Sequence, residues 1–169
     1  MRLAATLTLA LFVGCGSSTP KSVYNEGSFA RGDERFQVKA PPAWKPVQTP
    51  GDLAWQAPDS RAVIAANATC RGHHDGPLAV LANDLVIGTT QRRYLLEETT
   101  RLDGREALHQ VISLRIDGVT LIYDLYVLKK DGCVYDLTLV TPPKSYDRTA
   151  DTFVAFVAGF KGRGSGPGE

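Results

Sequence analysis

The side chains best suited to chemistry fall into three groups. The first centres on His109. If Asp103-Gly104 and Asp117-Gly118 are two-residue turns, 102 opposes 105 and 116 opposes 119, so Glu98 faces His109 across the strands and Asp124 lies on its diagonal. Two carboxylates beside an imidazole raise its pKa and make a spot that senses pH or holds a metal; the simpler reading is a polar rim where the sheet leaves its helix. The second group is the loop Cys70-Arg-Gly-His73-His74-Asp75, whose imidazoles and carboxylate suit zinc or copper. Its spacing matches no strong metal signature, and adjacent histidines in a Gly-flanked turn are more often plain exposed polar residues. The third is the thiol pair Cys70 and Cys133, both at expected strand ends; a bridge between them and two buried free thiols are both open.

Other chemistries find little support. There is no G-x-S-x-G elbow; the serines at 17, 18, 22, 28 and 165 fall in the terminal segments, Ser145 at a helix start and Ser60 in the Pro58-Asp59-Ser60 turn. The C-terminal glycines precede no helix, so they make no phosphate loop. Net charge of +1 over 169 residues gives no basic face for nucleic acid. Arg92-Arg93 and Lys129-Lys130 read as solvated rims. The expectation is a non-enzyme without a cofactor.

The elements that must position these residues are organised by three Asp-Gly pairs, 103–104, 117–118 and 131–132, recurring every 14 residues between apolar, β-branched runs. Asp and Gly tolerate the positive φ that type I′ hairpin turns demand, so 91–141 reads as a four-strand antiparallel meander. With those turns, one face carries Leu95, Leu108, Ile112, Leu114 and Leu125, the other Tyr94, Leu96, Val111, Tyr126, Leu128, Tyr135 and Leu137. Both faces are apolar, so both need cover. A helix entered at Pro77 with the stripe Leu78, Leu81, Ala82, Leu85 and closed by Gly88 can supply one side. A second, started near Ser145 and Asp147 with the stripe Ala150, Phe153, Val154, Val157, Phe160, can supply the other. Ahead of the meander, Phe36 and Val38 open a strand that Pro41-Pro42 ends. Asp52–Ala57 and Arg61–Thr69 form a hairpin whose Ala62, Ile64, Ala66 and Ala68 share a face. Trp44, Trp55 and the tyrosines read as core. The fold class is α+β, an antiparallel meander sandwiched between helices.

The N-terminus carries an address. Met1-Arg2 is followed by an apolar run, Leu3 to Val13, too short for a bilayer core of ~30 Å that needs about 20 residues. Residues 1–14 read as an export signal. The end of that run, LFVGC, resembles the lipobox of bacterial lipoproteins, which implies acylation of Cys15; Gly16 after it resembles the pattern sent to the outer membrane. Residues 15–34, rich in Gly, Ser and Pro, read as a flexible tether with a reach of ~25 Å. Lys161 onward, with 162–169 as its main part, reads as a disordered tail.

From about residue 35 to 161 the chain resembles the PsbP-like proteins, including the DcrB-like bacterial lipoproteins. The resemblance rests on FQVKAPPAW with Phe36, Val38, Pro42 and Trp44, on Asp103-Gly104-Arg105-Glu106-Ala107 before a strand, on Gly132-Cys-Val-Tyr135-Asp-Leu137-Thr-Leu139, and on the closing helix up to Gly159-Phe160. It implies an α/β/α sandwich and an accessory or binding role, and it carries no catalytic residues over. The expected partners are the bilayer, through Cys15, and an envelope protein, from the periplasmic face of the outer membrane. The alternative is a carrier of a small ligand or metal.

Overall fold

The structure is a computed structural model that describes residues 23–25, 28–30, 35–72 and 75–164. The three Asp-Gly pairs turn the chain as their chemistry requires. Asp103, Asp117 and Asp131 have φ of 48, 47 and 50°, and the glycines after them 77, 80 and 78°, the two successive positive φ values of a type I′ turn. The register follows arithmetically: Leu102 opposes Arg105, Ile116 opposes Val119, and Lys130 opposes Cys133.

In chain order the strands are β1 (Val23–Asn25), β2 (Ser28–Ala30), β3 (Phe36–Lys39), β4 (Lys45–Pro46), β5 (Leu53–Gln56), β6 (Val63–Thr69), β7 (Thr90–Leu102), β8 (Arg105–Ile116), β9 (Val119–Lys130), β10 (Cys133–Thr141) and β11 (Lys161–Gly162). Helix α1 (Leu78–Asp84) precedes β7, and α2 (Tyr146–Ala158) follows β10 through a 3-10 turn, Pro143–Ser145. A seven-stranded sheet has the order β4-β5-β6-β10-β9-β8-β7, and a four-stranded sheet the order β1-β2-β3-β11. Every pairing is antiparallel. The architecture is α+β, mostly antiparallel sheet with two helices.

Alternation along the strands divides the buried residues into two clusters. Phe153, Phe156 and Val157 of α2 meet Ile64, Ala66, Leu128, Tyr135, Leu137 and Leu139. The small Ala62, Ala66 and Ala68 lie fully buried there, as the shared face of the hairpin predicts, and Trp55 and Tyr135 sit in the same core. Leu81 and Ala82 of α1 meet Leu108, Ile112, Leu114, Leu125, Val127 and Val134, which point the other way from the same strands.

Several expectations are corrected. Within the 15–34 segment β1 pairs with β2, and β2 with β3. Within the expected tail, Lys161 and Gly162 pair with Gln37 and Phe36, and the Gly164 N–H donates to the Tyr135 hydroxyl; residues 165–169 lie outside the described residues. Leu85 is exposed and Val86 takes its place, because Leu85, Val86 and Ile87 bond back only three residues and tighten the end of α1. In α2, Val154 is 55% exposed and Phe156 is buried, so the true stripe is 149, 153, 156, 157, 160. The two faces are not covered throughout: β7 is exposed along almost its whole length. Register shifts between Thr90 and Arg93 and between Tyr94 and Leu96 also move Tyr94, which opposes Ile112, to the face opposite the expected one.

Candidate functional site

The register places His109 opposite Glu98 on one side and opposite Tyr126 on the other, with Asp124 diagonal to it. All four point to the face that α2 covers. There the first residue of α2, Tyr146, reaches the same spot. His109 Nδ1 lies 3.2 Å from Glu98 Oε1, and Nε2 lies 2.8 Å from Asp124 Oδ1. The Tyr146 hydroxyl donates to the other Asp124 oxygen at 2.9 Å. Tyr126 stacks on the imidazole, with centroids 4.0 Å apart and planes 10° from parallel. His109 and Asp124 are buried, whereas Glu98 keeps half its side chain in water.

Burial alone would lower the His109 pKa, but hydrogen bonds to Asp124 and Glu98 outweigh it and raise the ring above its ordinary value. Burial, with the Asp124 and Glu98 charges, pushes Tyr126 up to about 12. The same causes raise Tyr146, burial first and Asp124 next. Both phenols therefore stay protonated at neutral pH. In its charged form the imidazole donates from both nitrogens, one to each carboxylate; a neutral tautomer would set a lone pair against one of them. The ring thus offers no free nitrogen to a metal ion or to a nucleophile's proton, and what the arrangement can do is carry a charge that depends on pH.

The remaining expected residues divide. Cys70 and Cys133 are joined, with their sulfurs 1.95 Å apart, and the bond links β10 to the end of β6. His73 and His74 lie outside the described residues, as does Cys15. Of the other donors in the histidine loop, Cys70 is consumed by the disulfide and Asp75 accepts from Lys129 Nζ at 2.7 Å. Among the described residues no group of three metal-ligating side chains gathers as a cation site.

The basic pairs are more than solvated rims. Arg92 bonds to Asn83 Oδ1, Thr89 Oγ1 and the Val86 carbonyl, pinning the end of α1 to β7. Lys130 donates to Asp103 at 2.6 Å and to the Gly162 carbonyl.

Two further features escaped sequence reasoning. Asp136, in mid-strand between Tyr135 and Leu137, is buried opposite Asn67, whose Nδ2 donates to it at 2.8 Å; burial raises its carboxyl pKa. A charge inside an apolar strand was the signal for it. The other is the outer edge of β7. As the last strand of the sheet it has no neighbour beyond it among the described residues, and Tyr94, Leu95 and Leu96 at its centre are 47%, 47% and 37% exposed. Val80, Leu85 and Ile87 of the preceding segment are exposed as well. By contrast, the groove of about 400 Å³ between Lys39–Pro42 and α2 is open, its apolar lining of Ala40, Pro41, Pro42, Ala155 and Phe156 accompanied by Lys39, Asp151 and Thr152.

No protein-family model matches the sequence, and no curated protein does. Solved structures are similar in fold. The solution structure of cyanobacterial PsbP (CyanoP) from Synechocystis sp. PCC 6803 superposes with a TM-score of 0.60 at 14% identity, over 90% of this chain and 99% of that one. The chain has the PsbP-like fold. The same PsbP-like arrangement is shared by the Saccharomyces cerevisiae Ran-binding protein Mog1p, at TM-score 0.59 and 10% identity over 85% of this chain and 96% of that one. It extends to LpqN, involved in cell envelope biogenesis of Mycobacterium tuberculosis, at 0.55 and 13% over 75% and 82%.

Proposed function

We propose that this chain is a lipid-anchored envelope protein, allied to the DcrB-like lipoproteins, that works as a non-catalytic binding or assembly module. In this reading Cys15 is acylated and fixed to the periplasmic face of the outer membrane, and a three-layer sandwich of helix, sheet and helix presents one open sheet edge to a protein partner. The observation that carries it is β7: 13 residues long, exposed along most of its length and unpaired on its outer side. An exposed strand edge offers a row of backbone donors and acceptors to an incoming segment, and alternate side chains confer selectivity. The His109 network adds no reacting atom, since both ring nitrogens already face carboxylates. The fold also occurs in a protein described as Ran-binding and in one described as involved in cell envelope biogenesis, so protein binding and an envelope setting are both compatible with it.

Two measurements test this. The full chain should fractionate with membranes and incorporate a palmitate analogue, while Cys15→Ser should do neither. A photo-crosslinking residue at position 95 should trap protein in the native envelope, whereas the same residue at position 154, exposed on α2, should not. A Cys15→Ser chain that stays membrane-bound ends the anchoring claim; equal trapping at both positions ends the β7 claim.

A further inference from the structure

We propose that the partner paired along β7 is a second copy of this chain, joined antiparallel about a two-fold axis at Leu95/Leu96; this deepens, and rests on, the reading of β7 as a binding edge. The far edge of the same sheet shows what a guarded edge is like. There β4 is two residues long and consists of Lys45 and Pro46, a charge and a residue without an N–H. β7 carries no proline, and its charges flank an uncharged apolar centre, Tyr94, Leu95 and Leu96. Of the eight large apolar residues exposed on the described surface, six (Val80, Leu85, Ile87, Tyr94, Leu95, Leu96) fall within 80–96, so the uncovered apolar surface is concentrated beside this edge.

The order of charges selects the occupant. β7 reads Thr-Gln-Arg92-Arg93-Tyr-Leu95-Leu96-Glu97-Glu98-Thr-Thr-Arg101-Leu, basic just before the apolar centre and acidic just after it, with Arg101 beyond the acids and, in the pairings below, opposite the uncharged Thr89 or Thr90 of the other copy. Antiparallel pairing about an axis between Leu95 and Leu96 sets Arg93 of one copy opposite Glu98 of the other, and an axis on Leu95 sets it opposite Glu97. In the first case Leu95 meets Leu96 of the other copy; in the second Leu95 meets Leu95 and Leu96 meets Tyr94. Either way the centre is apolar, with an ion pair on each side. Parallel pairing would put Arg93 against Arg93 and Glu97 against Glu97. Arg93 is exposed, while Arg92 is occupied with the end of α1, so Arg93 is the basic group at the seam. Glu98 is half exposed even while it faces His109, and Glu97 is exposed while it accepts from Gln110 Nε2 at 2.6 Å. Each acid therefore keeps oxygen surface for a second partner. The two register shifts in β7, one of them between Tyr94 and Leu96, twist the edge. Charge then decides which strand is accepted, since like charges face to face cost several kcal/mol.

Sedimentation velocity of the full chain in detergent, across a concentration series, tests the idea. Wild type should sediment as two copies. Arg93→Glu, and separately the double variant Glu97→Arg/Glu98→Arg, should each weaken self-association by about tenfold or more, and mixing the two in equal amounts should restore it, because the mixed pair alone has opposite charges at every seam position. If the double variant disturbs His109 and fails to fold, Leu95→Asp on the exposed centre takes its place and should weaken the dimer to a similar degree. A wild-type chain that stays monomeric, or an equal mixture no more associated than its components, overturns self-pairing. A monomer that still crosslinks to a different envelope protein through position 95 overturns this inference and leaves the binding role standing; crosslinks joining two copies support both.

Discussion

At His109 two opposing effects act on one ring. Burial disfavours its charge, while Asp124 at 2.8 Å and Glu98 at 3.2 Å favour it, and the carboxylates prevail. The folded pKa therefore lies above the value of about 6.5 that the ring regains on unfolding. A raised folded pKa gives stability that is complete below the unfolded value and is lost as pH climbs through the folded one. We expect the urea midpoint of the wild-type chain to fall as pH rises above about 6.5, the unfolded value, and that of His109→Gln to be flat over the same range. An NMR titration should find the His109 ring above the ordinary value. Asp124→Asn should bring it down further than Glu98→Gln, because Asp124 is buried and water screens Glu98. A wild-type midpoint that ignores pH over this window would contradict the network. The carboxylates were legible in the sequence because turn arithmetic fixes who opposes whom. Tyr146 was not, since its approach depends on how α2 docks, which no local spacing encodes.

Elements were legible where the chain's own chemistry closes them. Each Asp-Gly pair specifies its hairpin locally, and three strand pairings follow from the turns without further information. Helix faces were read less well near their ends, where Val86 and Phe156 replace Leu85 and Val154 because the last turn tightens and the apolar pattern is ambiguous. Composition alone could not reveal β11, because Lys161 and Gly162 are held by partners far away in the chain: β3, Asp103 and Lys130. Asp103 joins these cases. It holds φ at 48° in the first hairpin, and its carboxylate accepts from Lys130 Nζ, Lys161 Nζ and the Gly162 N–H. Although burial opposes ionisation, these donors hold its pKa below the usual carboxylate value. Its contribution is thus present above the unfolded pKa and lost as pH falls through the folded one. Asp103→Asn keeps a side chain that tolerates positive φ but loses the charge, and should cost roughly 1–3 kcal/mol at neutral pH. Asp103→Ala should cost about 1 kcal/mol more, for the strained turn. Chemical denaturation of the three proteins orders them; equal midpoints for the two variants would mean that the turn conformation contributes nothing.

At the scale of the whole molecule, two apolar clusters lie on opposite faces of one sheet, and β10 feeds both: Tyr135, Leu137 and Leu139 to one, Val134 to the other. The chain's distant ends converge on the same strand. The Tyr135 hydroxyl donates to the Arg35 carbonyl and accepts from the Gly164 N–H, while its ring packs edge-on against Phe36 and Phe160. Cys133 opens β10 and is covalently tied to Cys70, 63 residues earlier. The bond therefore closes a loop that contains all of α1, β7, β8 and β9. In the chain-entropy account, closing a loop of that length removes unfolded-state freedom worth ~4 kcal/mol, and measured effects run from about 2 to 4. Cys70→Ala/Cys133→Ala should accordingly lower stability by roughly 2–4 kcal/mol, which for a domain of this size is a drop in Tm of roughly 5–15 °C. Reductant should produce a similar shift in the wild-type chain and none in the double variant. Because the disulfide acts mainly on the unfolded state, the His109 titration should survive its removal. Equal melting of oxidised and reduced wild type would show that the constraint is already supplied by the sheet, with the hairpin turns rather than the covalent link limiting the unfolded chain.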